Sequence, residues 1–318
     1  MNDGPPIIEV TALTKRYKQA TVNAVDGISF SVKSGEFFAL LGPNGAGKTT
    51  TLSILTTTLA PTSGTALIAG YDVNTNSSLV RQNIGIIFQN PSLDLNLTAE
   101  ENVRFHAVLY GLYPFRPTFS TMPDAYQKKV TALAAVLGLE GDMFQPIKKF
   151  SGGMKRKLEI IRSLIHNPKV LFLDEPTVGL DPASRRNLWE YLSKVRIERG
   201  TTILLTTHYL EEAEQADKVC IMNKGKIVSY GTPAELREQT SAQSYILLDS
   251  DDKSALRDEL KQRGFPFEEN AAFKVGLEGR SVQQIIKAID TPLSLVKTYI
   301  PTVEDAYLAI VDPTNEAA

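Results

Sequence analysis

The chain has 318 residues, of which 42% are hydrophobic and 22% are charged, and its formal net charge is -2. This length and composition predict a globular protein with a substantial core, divided into one large domain and a smaller one. A charge so close to neutrality excludes the basic excess that is typical of proteins that bind nucleic acid.

Cysteine usage and hydropathy limit the cellular locations that are expected for the chain. Cys220 is the only cysteine, so an intrachain disulfide is impossible, which fits a reducing environment. The first ten residues, MNDGPPIIEV, lack the basic start and apolar core of a signal peptide. Crossing a bilayer takes about 20 mostly apolar residues, and apolar runs such as 37–41 are far shorter. We therefore expect a chain that is not exported and does not itself cross a membrane.

Short strands and a glycine-rich loop open the chain. Strands are expected at residues 6–10, 28–32 and 37–41. The third strand leads directly into the segment GPNGAGKTT at 42–50. A helix is expected over about 48–59, with Pro61 and Gly64 beyond its end. The order strand, glycine loop, helix is typical of phosphate-binding proteins.

A helical region is expected to follow a buried strand at 84–88. Thr98 and Glu101 have the spacing of a capping box, which predicts the start of a helix. The segment 113–123 is interpreted as a loop or an insertion between helices, because it holds Pro114, Pro117 and Pro123 among polar residues.

Helices and strands then alternate, which predicts an α/β domain with a predominantly parallel sheet. The expected elements are a helix at 124–137, a helix opened by Ser151, a strand at 169–173, a helix at 182–198, a strand at 201–206 and a hairpin of 218–222 with 226–229. Beyond residue 233 we expect strands at 245–248, 272–277 and 295–300 and helices at 254–263 and 281–288. We assign 1–239 to the larger domain and 240–318 to a small separate α/β domain.

The loop at 42–50 fits the phosphate-loop pattern G-x-x-x-x-G-K-T. Its glycines allow backbone N–H groups to face phosphates, Lys48 supplies positive charge, and the Thr49 hydroxyl is suited to bind Mg²⁺. The flanking strand and helix favour this function over a merely structural glycine turn.

A second group of polar residues follows the apolar strand 170–173. Asp174 and Glu175 stand at the carboxyl end of this strand, where ligands bind in open α/β sheets. Alternation along the strand directs the two side chains differently, so Asp174 is expected to hold Mg²⁺ and Glu175 to act as a general base toward a water. Without other motifs, such a pair is often no more than two solvated acidic side chains. The presence of the phosphate loop favours the catalytic role.

The segment Phe150-Ser151-Gly152-Gly153-Met154 opens another helix. Ser151 is suited to cap it, and the glycines leave backbone N–H groups unobstructed at the positive end of the helix, which favours an anion. Because the phosphate loop already supplies one complete site, this second site is expected to cap the nucleotide of a partner subunit. The basic run Lys155-Arg156-Lys157 is interpreted as a solvated helix face.

Several single polar residues could have either a functional role or a merely structural one. Gln89 and His208 each follow a strand and could face a γ-phosphate, although single residues in such positions are more often surface groups. His106 and His166 are interpreted as surface groups.

Two further residues, Tyr17 and Asp181, also have both a functional and a structural interpretation. Tyr17 could stack on a base, although tyrosines are more often packing residues. Asp181 precedes Pro182 and is expected both to cap the next helix and to take part in function.

Together these motifs resemble the ATP-binding cassette family, the ATPase subunits of ABC transporters, over roughly residues 6–235. The resemblance implies a P-loop NTPase ABC nucleotide-binding domain with a RecA-like core, an antiparallel β subdomain and an α-helical subdomain at about 90–165. The implied cofactors are ATP and Mg²⁺. The implied Walker A loop, which binds the nucleotide, consists of Gly42, Pro43, Asn44, Gly45, Ala46, Gly47, Lys48, Thr49 and Thr50.

The resemblance also assigns roles to the remaining motifs. Tyr17 resembles the adenine-stacking aromatic, Gln89 the Q-loop, Asp181 the D-loop and His208 the switch histidine. Asp174 and Glu175 resemble the Walker B pair. The implied catalytic residues are therefore Glu175, His208 and Gln89, and the implied metal ligands are Thr49, Gln89 and Asp174. The family's signature motif corresponds to Ser151, Gly152, Gly153 and Met154.

Departures from the commonest signature indicate a branch of the family. The chain has Phe150 where Leu is usual and Met154 where Gln is usual, and the tail at 301–308 is also similar to that of exporters with a separate ABC-2-type membrane subunit. Daunorubicin-resistance and sodium-export ATPases belong to this branch. The loop at 113–123 is longer than is usual there.

The resemblance implies an ATPase that closes as a dimer, expected to be a homodimer, around two Mg-ATP and drives a separate permease. It would lie at the cytoplasmic face of the cell membrane, held there by the permease, with no nucleic acid as partner. One alternative is a soluble cassette ATPase that acts on ribosomes or DNA. Another is a binding module in which ATP is only a conformational signal, against which Glu175 argues. For residues 240–318 a stabilising or dimer-supporting role is favoured over ligand sensing.

Overall fold

The computed structural model describes residues 5–89, 92–238 and 244–311. The strands are β1 Ile8–Lys15, β2 Val25–Val32, β3 Phe37–Leu41, β4 Ser63–Ile68, β5 Tyr71–Asp72, β6 Ile84–Ile87, β7 Val170–Asp174, β8 Thr202–Thr207, β9 Lys218–Asn223, β10 Lys226–Gly231, β11 Tyr245–Asp249, β12 Phe267–Glu269, β13 Phe273–Gly276 and β14 Leu295–Tyr299. The helices are α1 Lys48–Leu55, α2 Ser77–Asn83, α3 Ala99–Leu109, α4 Asp124–Leu137, α5 Gly152–Leu164, α6 Pro182–Arg199, α7 Leu210–Ala213, α8 Pro233–Glu238, α9 Lys253–Gln262, α10 Val282–Lys287 and α11 Val303–Val311.

The chain divides into two compact units after Tyr230. The predicted boundary at 239–240 falls among residues 239–243, outside the described part of the chain. The structural division comes earlier because α8 packs against α11 of the smaller unit.

A six-stranded sheet forms the centre of the larger unit within the described residues, in the order β10-β9-β3-β8-β7-β6. Strand β3 pairs in parallel with β8 and β9, and β7 pairs in parallel with β8 and β6. Strands β3, β7 and β8 are buried along their whole length, which explains the apolar runs at 37–41, 170–173 and 203–205. The predicted parallel sheet is confirmed, and its carboxyl edge carries the loops that follow β3, β7 and β8.

A second, antiparallel sheet of the larger unit has the order β2-β1-β4-β5. The sequence predicts neither β4 nor β5, and it places Gly64 beyond the end of a helix at 48–59. Gly64 instead lies in β4, where an added Cβ would come within 2.3 Å of the Ala12 carbonyl oxygen. The close approach of β4 to β1 therefore requires a glycine, and only the last part of β4 is buried enough to show an apolar pattern.

Helix α1 ends at Leu55, four residues before the predicted end. The Thr56 hydroxyl donates to the carbonyl oxygen of Leu52, and the Thr58 hydroxyl donates to that of Ser53. Thr57 has a positive φ of 62°. Hydroxyl groups that bond to helix carbonyls compete with continuation of the helix, so the threonines end α1 early.

The helices α3, α4 and α5 lie where the helical subdomain is expected. The predicted capping box is confirmed, since the Thr98 hydroxyl accepts from the Glu101 amide and the Glu101 carboxylate accepts from the Thr98 amide. The segment 113–123 contains only a short 3-10 turn at Phe119–Thr121. It is anchored to α3 by Arg104, which donates to the Arg116 carbonyl oxygen at 2.7 Å.

The smaller unit contains an antiparallel sheet in the order β12-β13-β11-β14, as far as its residues are described. Helices α9 and α10 contribute apolar residues to one core with strands β11 and β13, among them Ile246, Leu256, Val275 and Ile285. The predicted strand and helix order is present, with β12, α8 and α11 in addition. Neither α11 nor any other helix in 5–89, 92–238 or 244–311 has the length and apolar character needed to span a bilayer.

Candidate nucleotide-binding site

The glycine loop joins the buried strand β3 to the start of α1 at Lys48. Gly47 has a φ of 103°, and an added Cβ there would lie 2.5 Å from the Ala24 carbonyl oxygen. A Cβ on Gly42 would lie 2.3 Å from the Met222 carbonyl oxygen. Only glycine fits these two positions, so the backbone can turn tightly between β3 and the N-terminus of α1.

Lys48 is buried beneath this loop. Its ammonium group donates to the carbonyl oxygens of Gly42 at 2.7 Å and Pro43 at 3.1 Å. Burial lowers the pKa of Lys48, while the nearby carboxylates of Glu175 and Asp174 raise it. The loop thus holds a positive charge against its own backbone, an arrangement suited to phosphate groups.

Asp174 ends β7 and is only 5% exposed. Within the described residues, its one hydrogen-bond donor is the Thr206 hydroxyl of the neighbouring strand β8. Burial raises the pKa of Asp174, and the hydrogen bond from Thr206 opposes this effect. A buried carboxylate with so few donors has oxygen positions left for a cation.

Glu175 leaves the strand in the left-handed region, with a φ of 46°. Its amide donates to the Thr206 carbonyl oxygen at 3.0 Å, so the backbone remains tied to β8. Gln89 Nε2 donates to its Oε2 at 3.1 Å, and His208 Nδ1 lies 3.0 Å from its Oε1. Three residues predicted from separate loops therefore meet, and the unusual backbone at Glu175 is held by the surrounding contacts.

One open cleft of about 560 Å³ combines these groups. Its lining includes loop residues 44–50 together with Gln89, Glu175 and His208. Tyr17 is partly exposed, and its hydroxyl lies 3.4 Å from the Thr50 hydroxyl at the start of α1. It therefore stands beside the loop, close enough to reach a molecule held there.

Ser151 and the glycines after it do not line this cleft. The Ser151 hydroxyl accepts from the Met154 amide at 3.2 Å, which confirms the predicted cap of α5. Among the residues that the structure describes, none comes within 4 Å of an added Cβ on Gly152, whereas one on Gly153 would lie 3.3 Å from the Ser184 hydroxyl. Gly153 thus allows α5 to approach α6, and the cap itself faces outward.

Asp181 caps α6, as the sequence predicts. Its carboxylate accepts from the Ser184 amide at 2.9 Å and from the Ser184 hydroxyl at 2.6 Å. These hydrogen bonds lower the pKa of the exposed Asp181 carboxyl group. Because Ser184 also lies beside Gly153, Asp181 and the cap of α5 occupy the same part of the surface.

The interpretation of Lys155-Arg156-Lys157 as a solvated face is wrong for Arg156, which is 5% exposed. Its guanidinium donates to three backbone carbonyls and to Glu159. The three carbonyls are distant in the sequence, so only the buried face of α5 could have indicated this role: Arg156 lies one turn before the buried position 160. Sequence reasoning also missed Glu212, which accepts from the hydroxyls of Thr177 and Thr207.

The interpretation of His106 and His166 as surface groups is wrong as well. Both are partly buried, and both rings pack against the ring of Tyr110, with centroids 4.3 Å and 4.7 Å away. Burial lowers the pKa of both imidazoles, to about 3 for His106. In the described parts of the chain, no three or more His, Cys, Asp or Glu residues cluster as ligands for a metal.

Comparison with known proteins agrees with this geometry. The family model for "ABC transporter" matches residues 25–178. A Nod factor export ATP-binding protein I from Burkholderia orbicola (strain AU 1054) is 40% identical over 254 residues, which cover 80% of each chain. A probable multidrug ABC transporter ATP-binding protein, YbhF of Escherichia coli (strain K12), is 39% identical over 238 residues. That alignment spans 75% of this chain but only 39% of YbhF.

A solved structure extends the likeness to the fold. The dimeric, post-hydrolysis state of the ATP-binding cassette MJ0796 bound to ADP and Pi has a TM-score of 0.63 and 26% identity, and the match covers 71% of this chain and 98% of that one. The fold is therefore that of a P-loop NTPase of the ABC nucleotide-binding type. The motifs and the fold match those of the family, and a relative aligns over 80% of both lengths. The chain therefore belongs to the ABC transporter family, as one of its ATP-binding proteins.

Proposed function

We propose that the chain hydrolyses ATP as the nucleotide-binding subunit of an exporter, dimerises around two Mg-ATP and drives a separate ABC-2-type permease. The observation that carries this proposal is the Glu175 carboxylate, held by Gln89 and His208 at the opening of the glycine-loop cleft. A carboxylate oriented in this way is suited to take a proton from an attacking water.

The phosphate loop supplies the electrostatic part of the proposed reaction. Backbone amides at the start of α1 would donate to the phosphate oxygens, and Lys48 would exchange its contacts with Gly42 and Pro43 for contacts with the β- and γ-phosphates. Phosphoryl transfer depends mainly on such positioning and charge stabilisation, because charge spreads over the oxygens of the transferred group. Tyr17 would stack on the adenine.

The residues present also fit a Mg²⁺ ion. The exposed Thr49 hydroxyl, the Gln89 side chain and the buried Asp174 carboxylate are oxygen donors, which this ion prefers. When bound, the ion neutralises charge that develops on the phosphates. Asp174 would hold the ion, while Glu175 remains free to accept a proton.

The outward-facing cap of α5 supports a role between subunits. Ser151, Gly152, Gly153 and Met154 lie outside the chain's own cleft, and a relative of this fold is known as a dimer. We infer that these residues bind the γ-phosphate of ATP held by a partner subunit, with Asp181 beside them at the interface. The partner is expected to be a second copy of the chain.

An exposed apolar surface on the helical subdomain supports a membrane partner. Leu109 is 85% exposed, and Phe105 and Phe115 stack with ring centroids 6.1 Å apart on the same surface. Large exposed apolar patches mark protein interaction sites. We propose that the permease docks here, beside Gln89 and α3, and holds the chain at the cytoplasmic face of the membrane.

The names of relatives support export. The aligned proteins are named for Nod factor export and as a probable multidrug transporter, which disfavours a soluble cassette ATPase acting on ribosomes or DNA. The smaller unit would support the dimer. Truncation after residue 240 tests that role: a truncated chain that dimerises and hydrolyses ATP like the full chain contradicts it.

Purification of the tagged chain from detergent-solubilised native membranes tests the proposal. We expect a multi-spanning membrane protein to co-purify and the hydrolysis of ATP by the complex to stop when Mg²⁺ is chelated. Recovery with ribosomes or DNA and no membrane protein would contradict the exporter assignment. Hydrolysis that persists without divalent cations would contradict the assigned metal ligands.

A further inference from the structure

Helix α5 is attached to both catalytic loops through one buried side chain. Arg156 lies one turn inside the helix that Ser151 caps. Its Nε donates to the Pro176 carbonyl oxygen at 2.7 Å, and its Nη2 donates to the Glu175 carbonyl oxygen at 3.1 Å. Its Nη1 donates to the Phe88 carbonyl oxygen, directly before Gln89.

Glu159 and Arg162 on the same helix hold the other side of the Gln89 loop. Glu159 is 1% exposed and accepts from Arg156 Nη1 at 3.0 Å and from the Ser92 amide at 3.0 Å. Arg162 donates to the Ser92 carbonyl oxygen at 2.6 Å. The helix is therefore hydrogen-bonded to the Gln89 loop at residues 88 and 92 and to the Glu175 loop at residues 175 and 176.

Stability alone does not explain this network. A buried ion pair gains little over apolar packing, because each charge loses its hydration. The bonds that Arg156 makes to carbonyls outside its own helix instead fix the relative position of three segments. A guanidinium presents donors in a rigid fork, whereas a lysine ammonium is a single point and cannot reach all three carbonyls at once.

We propose that Arg156 is a positioning residue, which couples the α5 helix behind Ser151 to the placement of Gln89 and Glu175 in the same subunit. The proposal rests on the function proposed above. Binding of a partner's nucleotide at the α5 cap would thereby be transmitted to the chain's own catalytic carboxylate.

The test compares Arg156→Lys with Lys157→Gln, a matched control at the next position of the same helix. We expect Arg156→Lys to lower kcat by about 100-fold, a loss that a displacement of about 1 Å can cause, with KM for ATP within about threefold of wild type. Lys157→Gln should keep kcat within about twofold of wild type. A wild-type kcat in Arg156→Lys would overturn the proposal.

A double-mutant cycle separates positioning from general damage. If Arg156 acts through Glu175, then Arg156→Lys should lower the residual activity of Glu175→Gln by less than about twofold. Multiplication of the two losses would overturn the proposal. Normal turnover in Glu175→Gln would instead overturn the proposed function, so the two failures are distinguishable.

A second variant keeps the test decisive if Arg156→Lys does not fold. Glu159→Gln keeps an acceptor oxygen and a similar shape, but it removes the charge that orients the Arg156 guanidinium. We expect kcat to fall by about tenfold at unchanged KM, since hydrogen bonds to charged groups are roughly twice as strong as neutral ones. An unchanged kcat in this variant would also overturn the proposal.

Discussion

The His208 imidazole lies 3.0 Å from one carboxylate oxygen of Glu175, while Gln89 donates to the other oxygen. His208 follows β8, and Glu175 follows the adjacent parallel strand β7. Because both strands end at the same edge of the sheet, residues far apart in the sequence orient one carboxylate, the proposed catalytic base.

Replacement of Glu175 by glutamine should lower ATP hydrolysis by roughly 100- to 10,000-fold, because an amide cannot accept the proton of the attacking water. ATP binding should remain, since Lys48 and the loop amides are unchanged. Steady-state hydrolysis and equilibrium binding of a fluorescent ATP analogue measure the two properties. Glu198→Gln, at an exposed position of α6, is the control; normal turnover in Glu175→Gln would remove the assigned base.

Replacement of His208 by alanine should lower kcat by about 10- to 100-fold, because Glu175 keeps its contact with Gln89 but loses the one to the imidazole. Hydrolysis measured over a range of ATP concentrations separates kcat from KM. Tyr209→Phe keeps the ring that stacks at 4.1 Å on His208 and should behave as wild type. A kcat of His208→Ala equal to that of Tyr209→Phe would show that the contact has no catalytic role.

Ser151→Ala and Thr98→Ala each remove a helix N-cap, so each should cost about 1 kcal/mol of unfolding free energy. Ser151→Ala should in addition weaken ATP-driven dimerisation about tenfold, since it would remove the hydrogen bond proposed between Ser151 and a phosphate of the partner's ATP. Thr98→Ala serves as the matched control for a lost cap. Denaturation and sedimentation measure the two effects, and equal dimerisation of both variants would contradict the role of Ser151.

Glu259 of the smaller unit should make that unit sensitive to acid. Partial burial would raise its pKa, but hydrogen bonds from Thr291 and Asp290 and the Arg263 guanidinium lower the pKa to about 2, against 4.5 ordinarily. The folded state therefore favours the ionised form. Its stabilisation is present above about pH 4.5 and is lost as the pH falls towards 2.

Glu259→Gln should therefore destabilise the smaller unit by about 2 kcal/mol at pH 7, which makes the α9 amides exchange roughly 30-fold faster. The difference from wild type should shrink between pH 4.5 and 2. Hydrogen exchange resolved by segment measures it, with Asp258→Asn at the adjacent exposed position as the control. A difference that stays constant with pH would contradict the assigned cause.

Local patterns explain which features could be predicted from the sequence. The glycine loop, the Thr98 capping box and the Ser151 cap each depend on residues within a few positions of one another, so their spacing is visible in the chain. The parallel strands were visible because full burial leaves uninterrupted apolar runs in β3, β7 and β8.

Features that depend on distant partners could not be predicted. Arg156 stands in a basic run, and only the folded chain brings the carbonyls of Phe88 and Pro176 to it. Gly64 could be interpreted as a helix stop because its contact with Ala12 in β1 is absent from the local pattern. The contact of Glu175 with Gln89 and His208 likewise could not be predicted without the order of the strands in the sheet, although the family resemblance implied a shared role.

Sedimentation of Glu175→Gln with and without Mg-ATP tests the central claim most directly, because hydrolysis is blocked and the closed state should accumulate. We predict that Glu175→Gln is a monomer without nucleotide and a dimer with Mg-ATP. When Ser151→Ala is added, and the concentration lies near the dissociation constant of the parent dimer, the chain should be a monomer again. A Glu175→Gln chain that binds Mg-ATP yet remains monomeric at every concentration would contradict the account of two subunits sharing each ATP.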